Sequence, residues 1–284
     1  MSAALDTLRS GDLEATLAAV QADVRAEPSE AKHRVFLFQL LCILGEWNKA
    51  VMQLRLAAQL DAAATPMAQT YREAIACELM RNRVFQGETA PLVVGEPQQW
   101  IALLLEALGA LARGETAAAE RLRSEAFEAA PMTAGSLNGA PFAWIADADM
   151  RLGPVLEIVL DGKYYWAPFT AIRRVNMEAP EDLRDRVWMP AQITWAAGGE
   201  SPALIPTRYP GAGEAADNLL RMSKATSWSE PAPGFFTGTG QRVLATDIQE
   251  TGLMDVRAIE LDTAGADAAE DTPGAEAASE PLDD

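Results

Sequence analysis

The chain has 284 residues, 49% hydrophobic and 23% charged, with a formal net charge of −18. That length holds two ordinary domains, each able to bury a core. The acidic excess excludes a nucleic-acid partner, because a phosphate backbone is held by clustered Lys and Arg.

The N-terminal stretch, MSAALDTLRSGDLE, has neither the basic region nor the apolar run of a secretory signal. Residues 101–112 form the most apolar helical pattern, but Glu106 interrupts it and it is too short for a bilayer, so no membrane partner is expected. Cys42 and Cys77 both fall in helical patterns and read as buried, reduced thiols of a cytoplasmic protein.

A repeat organises the first half. Gly11-Asp12-Leu13 and Gly45-Glu46-Trp47 lie 34 residues apart, the tetratricopeptide period, and Gly114-Glu115-Thr116 follows 69 residues later. Five residues after each glycine stand Thr16, Ala50 and Ala119. Twelve after stand Asp23, Ala57 and Ala126, and seventeen after stand Pro28, Ala62 and Pro131. Small residues of this kind sit where paired helices touch, and proline ends the second helix. The pattern predicts helices over 3–10, 12–26, 29–44, 46–60, 66–81, 97–113 and 115–130. Residues 1–136 are thus expected to form a tetratricopeptide-like α-α solenoid. Residues 83–96 interrupt the period and read as an ordered, extended insertion. By analogy with the middle repeat, Lys32, Val35, Gln39 and Ile43 are the candidate groove residues that would receive a partner helix.

From residue 137 the character changes. Asp161-Gly162 supplies the positive φ angles of a tight hairpin between strands at 155–160 and 163–167. A second hairpin is expected from 191–196 and 203–208, a short helix over 213–223, and two more strands at 241–247 and 254–261. About six short strands with proline-rich connections suggest a small, partly open barrel or curled sheet over residues 137–261. Between residues 261 and 284 there are eight acidic residues and no Lys or Arg, so residues 262–284 are expected to be a disordered, solubilising tail.

Catalytic chemistry finds little material. The single histidine, His33, reads as a surface or groove residue, and neither a phosphate-binding loop nor a dinucleotide fingerprint occurs. No cofactor is expected. Asp147-Ala148-Asp149 with Arg151 could share a divalent cation, but turn capping and pairing with Arg151 explain it more cheaply. Trp144, Trp166, Trp188, Trp195 and Trp228 all lie in the second half, most of them read as core. Arg208, Tyr209 and Trp228, in loop-like contexts, are the candidate exposed anchors for a protein partner.

The ordered set Gly95-Glu96-Pro97, Phe142-Ala143-Trp144-Ile145-Ala146-Asp147-Ala148-Asp149, Arg151-Leu152-Gly153-Pro154 and Tyr165-Trp166-Ala167-Pro168-Phe169 resembles the ImpE/SciE-type family, also called TagJ. Leu183-Arg184-Asp185, Arg208-Tyr209-Pro210-Gly211, Gly240-Gln241-Arg242 and Asp255-Val256-Arg257 extend the resemblance to about residue 261. The family comprises bacterial type VI secretion accessory proteins. The resemblance implies a non-enzymatic cytoplasmic adaptor that grips a helix near the N-terminus of the small sheath subunit. It also implies a link to the ClpV-type AAA+ ATPase that disassembles contracted sheaths. It assigns no binding residue. The competing readings are a chaperone-like holder of secreted effectors and a metal-dependent hydrolase using Asp147 and Asp149.

Overall fold

The computed structural model describes residues 2–263. The acidic tail lies outside the described residues, apart from Asp262 and Thr263.

The first half is helical: α1 (Ser2–Ser10), α2 (Leu13–Ala26), α3 (Ala31–Ile43), α4 (Trp47–Leu60), α5 (Thr65–Phe85), α6 (Gln99–Ala112) and α7 (Thr116–Ala129). Three helix pairs turn on the periodic glycines, whose φ angles of 82°, 72° and 77° at Gly11, Gly45 and Gly114 are left-handed. Each turn closes in the same way. The Gly45 N–H donates to the Cys42 carbonyl (3.1 Å) and the Glu46 N–H to that of Leu41 (2.9 Å), and the same two bonds recur at Gly11 and Gly114. These bonds satisfy carbonyls that a helix end otherwise leaves open. Beyond each turn, Thr16, Ala50 and Ala119 are almost wholly buried, which lets the paired helices approach closely. Helix α5 runs four residues past its expected end at 81, because Val84 continues its buried face.

Between α5 and α6 the interruption supplies β1 (Leu92–Val93). The strands β2 (Gly135–Leu137), β3 (Ala140–Phe142), β4 (Ile145–Asp147), β5 (Val155–Leu160), β6 (Lys163–Pro168) and β7 (Ile172–Met177) follow α7. Next come β8 (Trp188–Trp195), β9 (Glu200–Pro206), the four-residue helix α8 (Asn218–Arg221), β10 (Thr226–Ala232) and β11 (Phe235–Gly240). The last are β12 (Val243–Thr246), β13 (Glu250–Gly252) and β14 (Ala258–Leu261). Asp161 and Gly162, at φ 49° and 69°, make the tight turn between β5 and β6.

The main sheet has nine strands in the order β1-β6-β5-β9-β8-β7-β14-β2-β3, with β1 parallel to β6. It is open, with β1 and β3 as its edges. In place of the expected small, partly open barrel or curled sheet of about six strands stands a larger open sheet, whose two faces do different work. Leu156 and Ile158 face a core shared with the three-stranded sheet β13-β12-β4. Val155 and Val159 face the helices and join Cys77, Val84, Trp100 and Leu104 in a second core. The segment expected as one helix over 213–223 holds only a 3-10 turn at Ala212–Glu214 and α8.

A third core mixes the two halves again: Phe38, Leu41, Ile43 and Tyr71 pack with Val187, Trp188 and Met222. The Trp188 ring lies 5.9 Å from Trp47 and 5.8 Å from Tyr71, tilted at 45° and 46° to them. Helices and sheet are joined through shared apolar cores.

Candidate functional site

The residues expected to line a groove on the repeat divide in two. Lys32 is exposed and Val35 half-buried, but Gln39 is 7% exposed and Ile43 fully buried. The correction has a clear cause, since Val187 and Trp188 of the same chain pack against α3. Arg208 completes that contact. Its guanidinium donates to the carbonyls of Ile43 (2.7 Å), Cys42 (3.0 Å) and Arg221 (2.7 Å), so a cation from the second half caps the C-terminus of α3. Burial lowers the Arg208 pKa to about 10, which leaves it charged at neutral pH. Arg208 and Tyr209, expected as exposed anchors, are therefore buried structural residues. Trp228 is exposed at 39%, its ring 5.8 Å from that of Tyr209. His33 is also buried rather than on the surface, with Nε2 3.8 Å from Glu27.

Asp147 and Asp149 belong to a pinned loop. Arg242 donates twice to Asp147 Oδ2 (2.9 and 2.7 Å), and the Tyr209 hydroxyl donates to Oδ1 (2.8 Å). Asp149 accepts from the Arg151 backbone and guanidinium, and from the Gly238 N–H at 2.8 Å. With both carboxylates engaged by guanidinium, hydroxyl and amide donors, the pair does not converge on a cation position. Among the described residues no group of three or more His, Cys, Asp or Glu could hold a metal ion. The aspartates hold the loop's shape. Burial pushes the Asp147 carboxyl up; Arg242 opposes, the neighbouring Asp149 adds, and the result is about 6.

Behind this loop runs a polar seam that sequence reasoning missed. Glu157, fully buried in the middle of β5, accepts from Arg81 Nε (2.6 Å) and from the second guanidinium nitrogen (2.7 Å). The Tyr164 hydroxyl donates to the same carboxylate, and Arg242 lies 3.4 Å away. Burial pushes Glu157 up, but Arg81 and Arg242 outweigh it and bring its pKa to about 2. Arg81 also donates to the Arg208 carbonyl at 2.9 Å. Glu78, one helical turn before, accepts from the Trp188 indole at 3.1 Å. The signal for this seam was available: a glutamate inside the apolar run VLEIVL.

The front of the same loop is apolar. A groove of about 400 Å³ runs between the end of α7 and the edge strand β4, walled by Phe127, Met132, Trp144, Ala146, Met150 and Pro154. Met132 is 81% exposed on its rim. Gly153 shapes it: a Cβ there would stand 2.3 Å from Phe127 Cε1, so only glycine admits the ring. Arg123 lies one turn before Phe127 on α7 and is 9% exposed. Its guanidinium carbon is 5.5 Å from the Phe127 ring and 5.2 Å from the Phe235 ring. One nitrogen approaches the Met150 sulfur at 3.6 Å, and buried Nε has no hydrogen-bond partner among the described residues. Desolvation lowers its pKa, with Glu120 opposing at longer range.

Comparison with known proteins follows the same ground. Residues 139–260 match the family described as ImpE protein. The chain is 47% identical over 257 residues to the type VI secretion system accessory component TagJ of Pseudomonas aeruginosa, covering 90% of each chain. A crystal structure of a protein from Vibrio parahaemolyticus shares the fold with a TM-score of 0.83 at 21% identity, covering 91% of this chain and 97% of that one. The chain belongs to the ImpE family of type VI secretion system accessory components, the family of TagJ.

Proposed function

We propose that this chain is a non-enzymatic, cytoplasmic adaptor of a type VI secretion system. It binds the small subunit of the contractile sheath through a helix near that subunit's N-terminus, and so tunes sheath assembly or ClpV-driven recycling. The observation that carries this reading is the 47% identity to a type VI accessory component over nine-tenths of both chains. Two structural features support it. Asp147 and Asp149 are committed to ion pairs within the fold. No described helix is long and apolar enough to cross a membrane.

In this reading residues 1–136 form a tetratricopeptide-like scaffold and residues 137–261 a β-rich partner to it. The two act as one body because they share cores. Isothermal titration of the full chain with an N-terminal peptide of its cognate small sheath subunit tests the proposal. Micromolar or tighter binding with a negative heat-capacity change is expected, the mark of apolar burial. No binding at high peptide concentration overturns the sheath-helix mechanism. Binding of several unrelated secreted effectors in its place would make the chain a holder of cargo.

A further inference from the structure

In the three helix pairs the residue nine positions after the turn glycine is Val20, Leu54 and Arg123. Val20 and Leu54 are wholly buried core residues. The third pair places a cation in that position. An arginine in a buried site is ordinarily matched by a carboxylate, because taking its charge out of water is costly. Arg81 and Arg242 follow that rule, each against a buried carboxylate. Arg123 has no carboxylate within ion-pair distance among the described residues. Two ring faces and a thioether sulfur surround it, partners that supply a fraction of an ion pair's stabilisation.

Two of those neighbours, Phe127 and Met150, are also walls of the groove beside β4. A buried cation with no carboxylate in ion-pair contact, Glu120 acting only at longer range, thus lies against two walls of an apolar cleft with a freely exposed methionine on its rim. We infer that this groove is the docking site for an amphipathic partner segment whose apolar side chains fill the cleft between Met132, Trp144 and Phe127, and whose acidic side chain reaches Arg123. The inference rests on the adaptor reading, which names the segment as the N-terminal helix of the sheath subunit, and adds the place and the chemistry of recognition. Apolar area supplies affinity, and the carboxylate fixes register by exchanging Arg123's sulfur contact for a charge-assisted hydrogen bond. A partner lacking the acid would leave the arginine without a paired carboxylate in a site now closed to water, so the cation also discriminates against neutral apolar helices.

The test uses the full chain and the synthetic N-terminal peptide of its cognate small sheath subunit, followed by calorimetry. Met132→Glu changes a rim residue that supports nothing beneath it. It leaves the fold intact, checked by thermal melting, and weakens binding at least about tenfold by placing a charge against the peptide's apolar side. Arg123→Gln weakens binding by at least about thirtyfold, and Arg123→Lys restores part of the loss. Replacing each acidic residue of the peptide by its amide identifies the partner acid. That amide costs affinity with the wild-type chain and costs nothing further with Arg123→Gln. Peptide binding that survives both Met132→Glu and Arg123→Gln overturns the groove while leaving the adaptor reading standing. Absence of binding by the wild-type chain overturns the sheath-helix mechanism and the occupant named here together. Loss with Met132→Glu but no amide sensitive to Arg123 overturns the role given to the cation.

Discussion

The seam behind β5 and the groove beside β4 each bury an arginine, and they treat its charge in opposite ways. Arg81 meets Glu157 in a two-pronged ion pair, with Glu78 and the Arg208 carbonyl taking up its remaining donors. Arg123 has aromatic faces and a sulfur. A satisfied buried network ties two segments into one arrangement, and its members lose much when one is removed. A cation with no carboxylate in ion-pair contact contributes little to the isolated fold. Its charge becomes useful when something else brings the carboxylate.

Four substitutions put numbers on that contrast. Arg81→Met should be the most damaging, since it leaves Glu157 and Glu78 buried with fewer partners. A loss of about 3–5 kcal/mol is expected in urea unfolding. A loss under about 1 kcal/mol would erase the distinction between the two arginines.

Asp147→Asn addresses the ionised groups of the seam through pH. The Asp147 pKa rises from 3.8 to about 6 on folding, so the folded state holds the proton more tightly. Its contribution is fully present below 3.8 and is lost as pH rises through about 6, a span of about 3 kcal/mol. Glu157 runs the other way. Its pKa falls from 4.5 to about 2, so its contribution is present above 4.5 and is lost as pH falls through about 2. The wild-type chain should therefore lose stability between pH 4 and 6 along a slope that Asp147→Asn removes. An unchanged slope in the variant would dissociate that titration from Asp147.

Gly153→Ala tests the groove's shape. Its methyl would collide with the Phe127 ring, at a backbone φ of 60° that side chains disfavour. A loss of about 1–3 kcal/mol is expected in thermal unfolding, together with weaker peptide binding. Arg123→Met should be mildest, within about 1 kcal/mol of wild type, because no ion pair is broken and an apolar side chain suits the position held by Leu54 and Val20 elsewhere. A loss as large as that of Arg81→Met would mean that Arg123 holds the fold together after all.

The helical half was legible because its signals are local. Gly11, Gly45 and Gly114 set the turns, and residues five positions on reach their neighbours within the same hairpin. The β5–β6 hairpin was legible for the same reason, through Asp161-Gly162. Strands such as β2, β3 and β4 span three residues each, too few for alternation to register. Strand β5 is buried on both faces, so the flanking turn rather than an apolar-polar alternation marked it. Arg208 and Tyr209 were read outward because arginine and tyrosine in a loop usually are. What buries Arg208 is a helix end 165 residues earlier in the chain, beyond the reach of any spacing rule. Arg123 was legible in principle, as the charged member of a repeat position otherwise filled by Val20 and Leu54.

That same cap bears on how the protein is made. While the ribosome is still synthesising the first half, the carbonyls of Cys42 and Ile43 have no guanidinium to receive, and Phe38 and Tyr71 lack the indole of Trp188. A nascent chain stopped before residue 208 presents an open helix end and an uncovered apolar face. The cap and the mixed core of the helical half therefore close only once residue 208 has been made, and contacts of such long sequence separation are slow to form. A product truncated before residue 187 would leave this apolar face uncovered.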